Sequence, residues 1–415
     1  MKNWQQIFLI MLILFAVIGA IFSGISTYDF VAHLDRQIHP VTCSFIPGLG
    51  SADTTGTSGC YAVMMSPYSS VLRDRTWGGV PIALASLSVF VYLIFMSVDI
   101  LLRRALRRPI ESAYCIAATS LPMVVSLVYL MISISVIGDL CETCVGIYVA
   151  SLGCFVAAIL AHREASKGQE DEEESTQKIS WLRYGLSFFE GVAFVTIPIV
   201  IFLYLKPAYT EEQSQCGELI NKEDRYGIRL KIHSAPRGAQ AIELVDPLCP
   251  ACKALRDRLA ANELITNLDL EAVVFPLDKS CNWMVNKTLH PGACAVSEAM
   301  LCANKDAAQV LDWAFDNNQE LREIAAADPT GKKIYKKIKE EFPSIAHCVD
   351  RPEVKSRVNR SLRWIVSNAA PVTTPQIYIE GKKICDEDTD LGLEFVLKRM
   401  LADHEQSSPK EQVTN

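Results

Sequence analysis

The sequence predicts two structures in one chain: an α-helical membrane bundle, followed by an α/β domain. Three observations lead to this prediction. Long apolar runs are confined to the first half of the 415 residues, the second half mixes polar and apolar periods, and 14 cysteines are spread across both. The chain is half hydrophobic with a mean hydropathy of +0.19, which excludes a disordered protein. A net charge of −7 gives no support for nucleic-acid binding.

Five apolar runs define the predicted spans, at residues 7–25, 80–98, 112–138, 145–161 and 191–205. A helix needs about 20 apolar residues to cross a bilayer, and the fourth and fifth runs reach that length with their flanking residues. The first run has an alternative interpretation as a cleaved signal peptide. Its cleavage candidate, between Ala20 and Ser23, is a poor one. We therefore favour an uncleaved first helix.

Lysine and arginine side chains orient the predicted bundle, because short cytoplasmic loops are enriched in them. Two connections are basic, one with Arg103, Arg104, Arg107 and Arg108, the other with Arg163, Lys167, Lys178 and Arg183. The N-terminus and both basic loops are therefore expected inside. The long loop at 27–77, the start of the fourth run and all residues after the fifth run are expected outside. This topology favours a bacterial inner membrane, with a thylakoid or archaeal membrane left open.

Twelve of the cysteines fall on the predicted outer side, and none lies in a predicted cytoplasmic loop. The other two, Cys115 and Cys154, lie within the third and fourth runs, where a free cysteine is usually a small buried hydrophobe. An even set of cysteines on the oxidising side of a membrane is typical of a protein with disulfide bonds.

Two pairs of outer cysteines belong to the membrane half. Cys141 and Cys144 form a CxxC at the outer mouth of the fourth run, where the start of a helix stabilises a thiolate. A zinc site is the alternative, but it needs four ligands, and Cys43 and Cys60 are the plausible additions. Those two cysteines flank a loop rich in Gly, Ser and Thr, which is typical of a mobile thiol carrier. A static loop disulfide is the alternative interpretation.

The arrangement of these cysteines resembles the vitamin K epoxide reductase family over roughly residues 1–165. The shared features are the pair of loop cysteines, a Gly-Val-Pro at 79–81 and a CxxC that opens the fourth span. Cys43 and Cys60 are 17 positions apart, whereas the loop cysteines of the family are usually separated by only a handful of residues. The order in which these two cysteines act therefore stays open.

The resemblance also implies roles for two further residues. Ser66 matches the loop Ser/Thr of the family, and Tyr148 matches a tyrosine that contacts the quinone in relatives. The implied cofactor is a quinone, either ubiquinone or menaquinone, held among the first four helices.

A second CxxC lies in the polar half, between a predicted strand at 241–245 and a predicted helix at 253–262. Cys249 falls at the start of the helix, where a thiol has a low pKa, and Cys252 falls one turn further in. The first thiol is therefore the expected nucleophile, and the second is expected to resolve the mixed disulfide.

The segment 372–383 has the pattern of a loop, a strand, a turn and a strand, and an amphipathic helix follows at 391–401. Together with the strand–CxxC–helix motif it resembles the thioredoxin-like fold. That resemblance implies an active-site loop in which Thr374 precedes a cis proline, Pro375, beside the CxxC. A long helical insertion at 293–367 is similar to the DsbA-like subfamily of thiol oxidases.

Six further outer cysteines are predicted to form stabilising disulfides, with an auxiliary redox pair as the alternative. Cys281 and Cys294 bracket a Pro-Gly turn and are expected to pair. Two other pairs follow only by elimination, Cys302 with Cys348 and Cys216 with Cys385. Five histidines show no metal-ligand spacing, so no metal site is predicted and they are treated as ordinary: His33, His39, His233, His290 and His347.

The predicted domains are a membrane domain at 1–165, a loop, fifth span and linker at 166–215, a thioredoxin-fold domain at 216–405 and a polar tail at 406–415. The predicted function is that of a membrane-bound, quinone-dependent thiol–disulfide oxidoreductase. Its expected partners are exported client proteins with free thiols and a quinone in the membrane.

Electrons are expected to pass from client thiols through Cys249/Cys252, Cys43/Cys60 and Cys141/Cys144 to the quinone. Reversed flow, as in a disulfide reductase or isomerase, lacks a cytoplasmic cysteine pair to supply it. Reduction of vitamin K epoxide or quinone for its own sake is another alternative, which the fused thiol-oxidase domain disfavours. A structural binding module is the last alternative, and the CPAC motif at a strand–helix junction disfavours it.

Overall fold

A computed structural model describes residues 2–34, 41–43, 52–53, 59–103, 109–167, 181–206, 216–261, 263–328 and 330–407. The chain divides into two compact units, Met1–Ala208 and Tyr209–Asn415. Several predictions concern residues outside the described ranges: most of the Gly/Ser/Thr-rich loop, the parts of the two basic connections at 104–108 and 168–180, the linker at 207–215 and the tail at 408–415.

The first unit contains the apolar helices. In chain order its helices are α1 (Lys2–Leu34), α2 (Gly59–Met65), α3 (Ile82–Leu102), α4 (Pro109–Ile132), α5 (Glu142–Lys167) and α6 (Trp181–Leu205). A π-helical turn, Ser133–Ile137, extends α4. All of these helices except the short α2 are long and apolar enough to cross a membrane. The unit is therefore the helical bundle with five apolar spans that the sequence predicts.

The first helix is longer than the predicted apolar run, which ended at residue 25. It continues to Leu34 because the polar residues beyond the run are satisfied within the protein. The Thr27 hydroxyl donates to the Ser23 carbonyl at 2.7 Å, and the Asp29 carboxylate accepts two hydrogen bonds from Thr42. A polar side chain that is already hydrogen-bonded does not have to end a helix.

Close packing of α1 against α5 depends on small residues in α5. A side chain at Gly153 would collide with the ring of Phe15, and one at Gly146 would collide with the ring of Phe22. Small residues let helices approach each other in a bilayer, where burial against lipid-like surfaces contributes little to association. These contacts fix the position of α5, whose first turn carries a CxxC.

The two cysteines inside the spans are buried free thiols. Cys154 is 0% exposed, and its thiol donates to the Leu12 carbonyl at 3.7 Å. Cys115 of α4 is 4% exposed in the same apolar cluster. Both fill space in the helix interface, as small hydrophobes do.

The described residues of the connection between α1 and α3 form four short strands around α2. They are β1 (Val41–Thr42), β2 (Ala52–Asp53), β3 (Ser70–Val71) and β4 (Val80–Pro81). β1 pairs antiparallel with β2, and β3 pairs antiparallel with β4. The Ile82 amide, which opens α3, donates to the Ser69 carbonyl at 3.0 Å. The second strand pair is thus joined directly to a spanning helix.

The second unit is built on a five-stranded mixed sheet. Its strands are β5 (Leu230–His233), β6 (Ala239–Val245), β7 (Leu268–Val274), β8 (Gln376–Ile379) and β9 (Lys382–Lys383), in the spatial order β5-β7-β6-β8-β9. Strands β6 and β7 are parallel and are connected by α7 (Pro250–Ala261). The other neighbouring strands are antiparallel.

Six further helices complete this unit. They are α8 (Ala293–Ala303), α9 (Ala307–Asp316), α10 (Asn318–Ala327), α11 (Lys332–Glu341), α12 (Pro352–Ser367) and α13 (Leu393–Ser407). The first five form an insertion between β7 and β8, and the last follows the β8–β9 hairpin. The predicted thioredoxin-like fold with a helical insertion is confirmed by this order. Trp364 of α12 and Phe275 after β7 are 1% and 0% exposed, and they form a dry core behind β6.

Candidate functional site

The CxxC of the first unit lies at the start of α5. Cys141 precedes the helix, is 4% exposed, and accepts the Val145 amide on its carbonyl at 3.0 Å. The Cys141 sulfur accepts the Cys144 amide at 3.3 Å and lies 2.8 Å from the Thr143 hydroxyl. The sulfur therefore caps the helix, where free amides and the helix dipole favour a thiolate. Both cysteines of the motif are free thiols.

Cys60 lies beside this motif and forms a disulfide with Cys43. Gly59 opens α2 against the Leu140 carbonyl, and any side chain at this position would collide with that oxygen. Glycine therefore lets α2 begin next to the residue that precedes Cys141. Cys60 is 2% exposed, whereas Cys43 is half-buried, so the two sulfurs of the disulfide differ in access.

Asp29 of α1 holds the other end of that disulfide. Its two carboxylate oxygens accept the Thr42 amide at 2.8 Å and the Thr42 hydroxyl at 3.3 Å. Because Thr42 directly precedes Cys43, the acid ties this cysteine to a spanning helix. Sequence analysis missed Asp29, since an acid just after an apolar run looks like the end of a span. A buried acid in a membrane-spanning helix usually has a function.

Ser66 lies in a turn that Arg73 closes. The Arg73 side chain is buried, and its Nε donates to the Ser70 hydroxyl at 2.6 Å. Its Nη2 donates to the Ser66 carbonyl at 2.5 Å and to the Ser69 hydroxyl at 2.7 Å. The Ser66 hydroxyl donates to the Val63 carbonyl at 2.7 Å, which leaves its oxygen able to accept a hydrogen bond. The sequence alone carries no sign of this role for Arg73.

A cavity of about 350 Å³ opens between these elements. It is lined by Cys60, Cys141, Cys144 and Ser66, and by Tyr148, which lies one helical turn beyond Cys144. Apolar side chains of α3, α4 and α5 form much of its wall. Its volume falls at the lower end of the range for small-molecule sites, about 300–1,000 Å³. The fold thus brings most of the predicted membrane residues to one apolar cavity.

The second CxxC lies where β6 is followed by α7. Cys249 directly precedes Pro250, the first residue of α7, and is 4% exposed, whereas Cys252 is fully buried. The Cys249 sulfur lies 3.7 Å from the carbonyl oxygen of Thr374, whose peptide bond to Pro375 is cis. The active-site loop predicted from the sequence is therefore adjacent to the CxxC.

The two thiols of this motif have very different pKa values. The hydrogen bond from the Cys252 thiol outweighs burial and lowers the pKa of Cys249 to about 6. Burial and the same hydrogen bond raise the pKa of Cys252 well above that of an ordinary cysteine. At neutral pH Cys249 is therefore a thiolate while Cys252 keeps its proton. This is the division between an attacking thiol and a resolving thiol.

Glu243 lies on β6 behind these thiols with 0% exposure. Neither of its carboxylate oxygens has a hydrogen-bond partner among the described residues. Burial raises the pKa of Glu243 to about 7, against the opposing charge of Arg256, and the charge of Glu243 in turn raises the pKa of Cys252. An acid that titrates near neutrality beside a resolving thiol can exchange a proton with it. The signal in the sequence was a single charge within the apolar strand at 241–245.

Asp246 follows β6, and His290 reaches it from the segment before α8. The Nδ1 of His290 lies 2.8 Å from the Asp246 Oδ2, and the two side chains are 13% and 0% exposed. His290, to which the sequence assigned no role, is therefore paired with a buried acid just before Cys249. No local pattern could reveal this pair, because 44 positions separate its members.

Three further disulfides join Cys216 to Cys385, Cys281 to Cys294 and Cys302 to Cys348. These are the same partners that the sequence analysis paired. The Cys281–Cys294 bridge brackets the segment that carries His290, and Ser280 donates to the Cys294 sulfur at 3.0 Å. The Cys281–Cys294 bridge therefore restrains the segment whose His290 side chain pairs with Asp246 near the second CxxC.

Residues 10–159 match the family model described as Vitamin K epoxide reductase family. The matched segment contains Cys43, Cys60, Cys141, Cys144 and Tyr148, and it confirms the predicted resemblance for this part of the chain. The first unit also contains five apolar helices that are long enough to cross a membrane, and the second unit has a thioredoxin-like fold. No curated protein matches the chain.

Solved structures similar to this chain include the oxidoreductase DsbA from Xylella fastidiosa, with 15% identity and a TM-score of 0.30 over 43% of this chain and 92% of that chain. They also include Proteus mirabilis ScsC in a transitional conformation, with 16% identity and a TM-score of 0.27 over 43% of this chain and 75% of that chain. Because both TM-scores are low, the fold assignment depends on the sheet order and helix positions described above.

Glu243→Gln is expected to change how stability depends on pH. The folded-state pKa of Glu243, about 7, lies above that of an exposed glutamate. The folded unit therefore loses stability as the pH rises from about 5 to about 8, because the unfolded chain ionises first. Glutamine cannot ionise, so the free energy of unfolding of the variant relative to the parent should rise by about 2 kcal/mol over that range.

The measurement is urea-dependent pulse proteolysis of the reduced full-length protein at several pH values. Glu263→Gln, at an exposed position, is the matched control and should show no such trend. A relative free energy for Glu243→Gln that stays flat with pH would contradict the assigned titration.

Proposed function

We propose that this protein generates disulfide bonds in exported proteins and passes the electrons to a quinone in the membrane. The observation that carries the proposal is the apolar cavity beside Cys141 and Cys144, into which Cys60 of a neighbouring disulfide also faces. A chain of exchangeable thiols that leads to an apolar cavity among spanning helices requires an acceptor that is soluble in the membrane.

The first step is oxidation of a client protein by the Cys249–Cys252 disulfide. A client thiolate attacks the Cys249 sulfur and forms a mixed disulfide, and Cys252 leaves as the thiol. A second client thiol then displaces Cys249, so that two client thiols become one disulfide and both cysteines of the motif become thiols. The lowered pKa of Cys249 supports this direction, because a stabilised thiolate favours the reduced motif and makes its disulfide oxidising.

The second step returns the motif to its disulfide form. The Cys249 thiolate attacks the Cys43 sulfur of the loop disulfide, Cys60 leaves, and Cys252 then displaces Cys43. The half-buried state of Cys43 and the near-complete burial of Cys60 support this order. Because both units belong to one chain, the effective concentration of Cys249 at the loop can reach about the mM range.

The third step moves the electron pair to the membrane motif. The Cys60 thiolate attacks the Cys141 sulfur of a Cys141–Cys144 disulfide, and Cys144 leaves as a thiolate. Cys43 then displaces Cys141 and restores the loop disulfide. Cys60 and Cys141 line the same cavity, and Gly59 permits the close approach of their backbones.

A quinone, when bound, accepts two electrons and two protons, which matches the two electrons that one thiol pair yields on closing to a disulfide. The cavity fits the ring of such a molecule in volume and in its apolar wall. Cys144 faces the cavity, and the Tyr148 hydroxyl on the same helical face can donate a hydrogen bond to a carbonyl oxygen. The lysine and arginine residues of the two basic connections, which predict a cytoplasmic side for them, support an exported position for the second unit.

Tyr148→Phe should slow reduction of the quinone without affecting thiol exchange in the second unit. The substitution removes one hydrogen bond in a dry pocket, which costs about 1–3 kcal/mol and corresponds to a roughly 10- to 100-fold slower rate. The measurement compares the rate of quinol formation with the rate of disulfide exchange between Cys249 and the loop cysteines. Tyr204→Phe, at a position 88% exposed on α6, is the matched control. An unchanged rate of quinol formation in Tyr148→Phe would show that the Tyr148 hydroxyl does not contribute to reduction of the quinone.

Replacement of both Cys43 and Cys60 by Ala tests the relay itself. The second unit should oxidise one equivalent of client protein and then remain reduced, while Cys141–Cys144 should still be oxidised by quinone. A small dithiol should still reach Cys141 and support quinone-linked turnover, which controls for damage to the membrane site. Client oxidation by the double variant at the parental rate would mean that the loop disulfide is structural and that the two CxxC motifs exchange directly.

A further inference from the structure

Asp246 is a buried carboxylate with a structural role at the start of the second CxxC. Its Oδ1 accepts the Leu248 amide at 2.8 Å, and its Oδ2 accepts the Leu277 amide at 2.7 Å. Its carbonyl accepts the Cys249 amide at 3.1 Å. These bonds join the turn that carries the CxxC to the segment after β7. Loss of the carboxylate would leave two buried amides without partners.

The charge of the same carboxylate opposes formation of the Cys249 thiolate. It places a negative charge close to the Cys249 sulfur and raises the pKa of that thiol. The residues between the two cysteines are Pro250 and Ala251, neither of which carries a charge. Any positive charge that favours the thiolate, in addition to the hydrogen bond from Cys252, therefore comes from elsewhere in the fold.

His290 is the cation that the fold brings to this position. Its Nδ1 lies 2.8 Å from the Asp246 Oδ2, and its side chain is 13% exposed. Its amide donates to the Leu277 carbonyl at 3.4 Å, so the backbone of the segment is tied to the same strand end as the acid. The Gly292 amide donates to the Asp278 carboxylate at 3.0 Å, and the Cys281–Cys294 disulfide closes the segment.

We propose that His290 is a positioning residue that neutralises Asp246 and thereby allows Cys249 to be a thiolate beside a buried acid. This inference rests on the proposed function in that it takes Cys249 to be the attacking sulfur. The Asp246–His290 pair meets two separate requirements at the start of the second CxxC. Asp246 holds the turn, and His290 removes the electrostatic penalty that the acid imposes on the thiolate.

The charged groups around His290 support this role. Burial lowers the pKa of His290, but the hydrogen bond to Asp246 and the charges of Asp246 and Cys249 outweigh burial and raise it, while Arg322 of α10 acts in the opposite direction. Because the pKa is raised, the imidazole keeps its proton to a higher pH than an ordinary histidine does and loses it as the pH rises through that pKa. The charge of His290 lowers the pKa of Cys249 in return. Two further acids lie near these segments: Glu243, whose pKa the charge of Cys249 raises, and Asp278, whose carboxylate accepts the Gly292 amide.

The experiment measures the rate of alkylation of Cys249 against pH in the reduced full-length protein, with the modified peptide quantified by mass spectrometry. His290→Gln should move the midpoint of this profile up by about one pH unit, because the charge of Asp246 is then uncompensated. The equilibrium constant with glutathione should shift about tenfold towards the disulfide. His347→Gln, at an exposed histidine of the same unit, should leave the midpoint unchanged.

Two further variants separate charge from structure. His290→Lys keeps a positive charge and should retain a midpoint close to that of the parent. Asp246→Asn combined with His290→Gln removes both charges and should return the midpoint towards the parental value, although each single change does not. If His290→Gln alone folds poorly, the midpoints of His290→Lys and of the double variant still test the inference.

An unchanged midpoint in folded His290→Gln, or equal shifts in His290→Gln and His290→Lys, would overturn the inference. Alkylation of Cys249 needs neither quinone nor the loop disulfide. A failure of the proposed electron route would therefore leave these midpoints as expected, so the two failures can be distinguished.

Discussion

The chemistry of the second unit depends on one interaction, the hydrogen bond between the sulfurs of Cys249 and Cys252 at the start of α7. The Cys252 thiol donates to Cys249, which makes one sulfur a thiolate at neutral pH and keeps the other protonated. This asymmetry requires that Cys252 be shielded from water, and the Cys252 side chain is fully buried. The first unit has a related arrangement, in which the Cys141 sulfur caps α5 and accepts the Cys144 amide.

Both units build the rest of their sites from residues that are distant in sequence. In the first unit, α1 supplies Asp29 to hold the segment before Cys43, and Gly59 lets α2 start against the residue before Cys141. In the second unit, the loop before β8 supplies Thr374, and the segment closed by a disulfide supplies His290. Rigid elements therefore fix the backbone around sulfurs whose chemistry depends on access and charge.

The sequence predicted the parts of the sites that have a local pattern. A CxxC at a predicted helix start, an even set of outer cysteines and five apolar runs each have a physical meaning within a short window. The position of Cys249, Cys252, Cys141 and Cys144 at helix starts therefore follows from the amino-acid sequence alone.

The residues that sequence reasoning missed lack such a pattern. Asp29 and Arg73 look like the end of a span and a loop cation, because their hydrogen-bond partners lie on other elements. His290 meets Asp246 only through the tertiary fold. Glu243 is the exception, because a lone acid in an apolar strand is costly to bury and could have been recognised as functional.

In the proposed relay, Cys249 delivers electrons to the loop disulfide before they reach the membrane CxxC. The most direct test uses full-length Cys252→Ala, in which Cys249 can attack a disulfide but cannot be released by its usual partner. The purified protein is quenched in acid, alkylated and digested, and the partner of Cys249 is identified by mass spectrometry. The proposed relay predicts a mixed disulfide between Cys249 and Cys43. A mixed disulfide of Cys249 with Cys141 or Cys144 would contradict it.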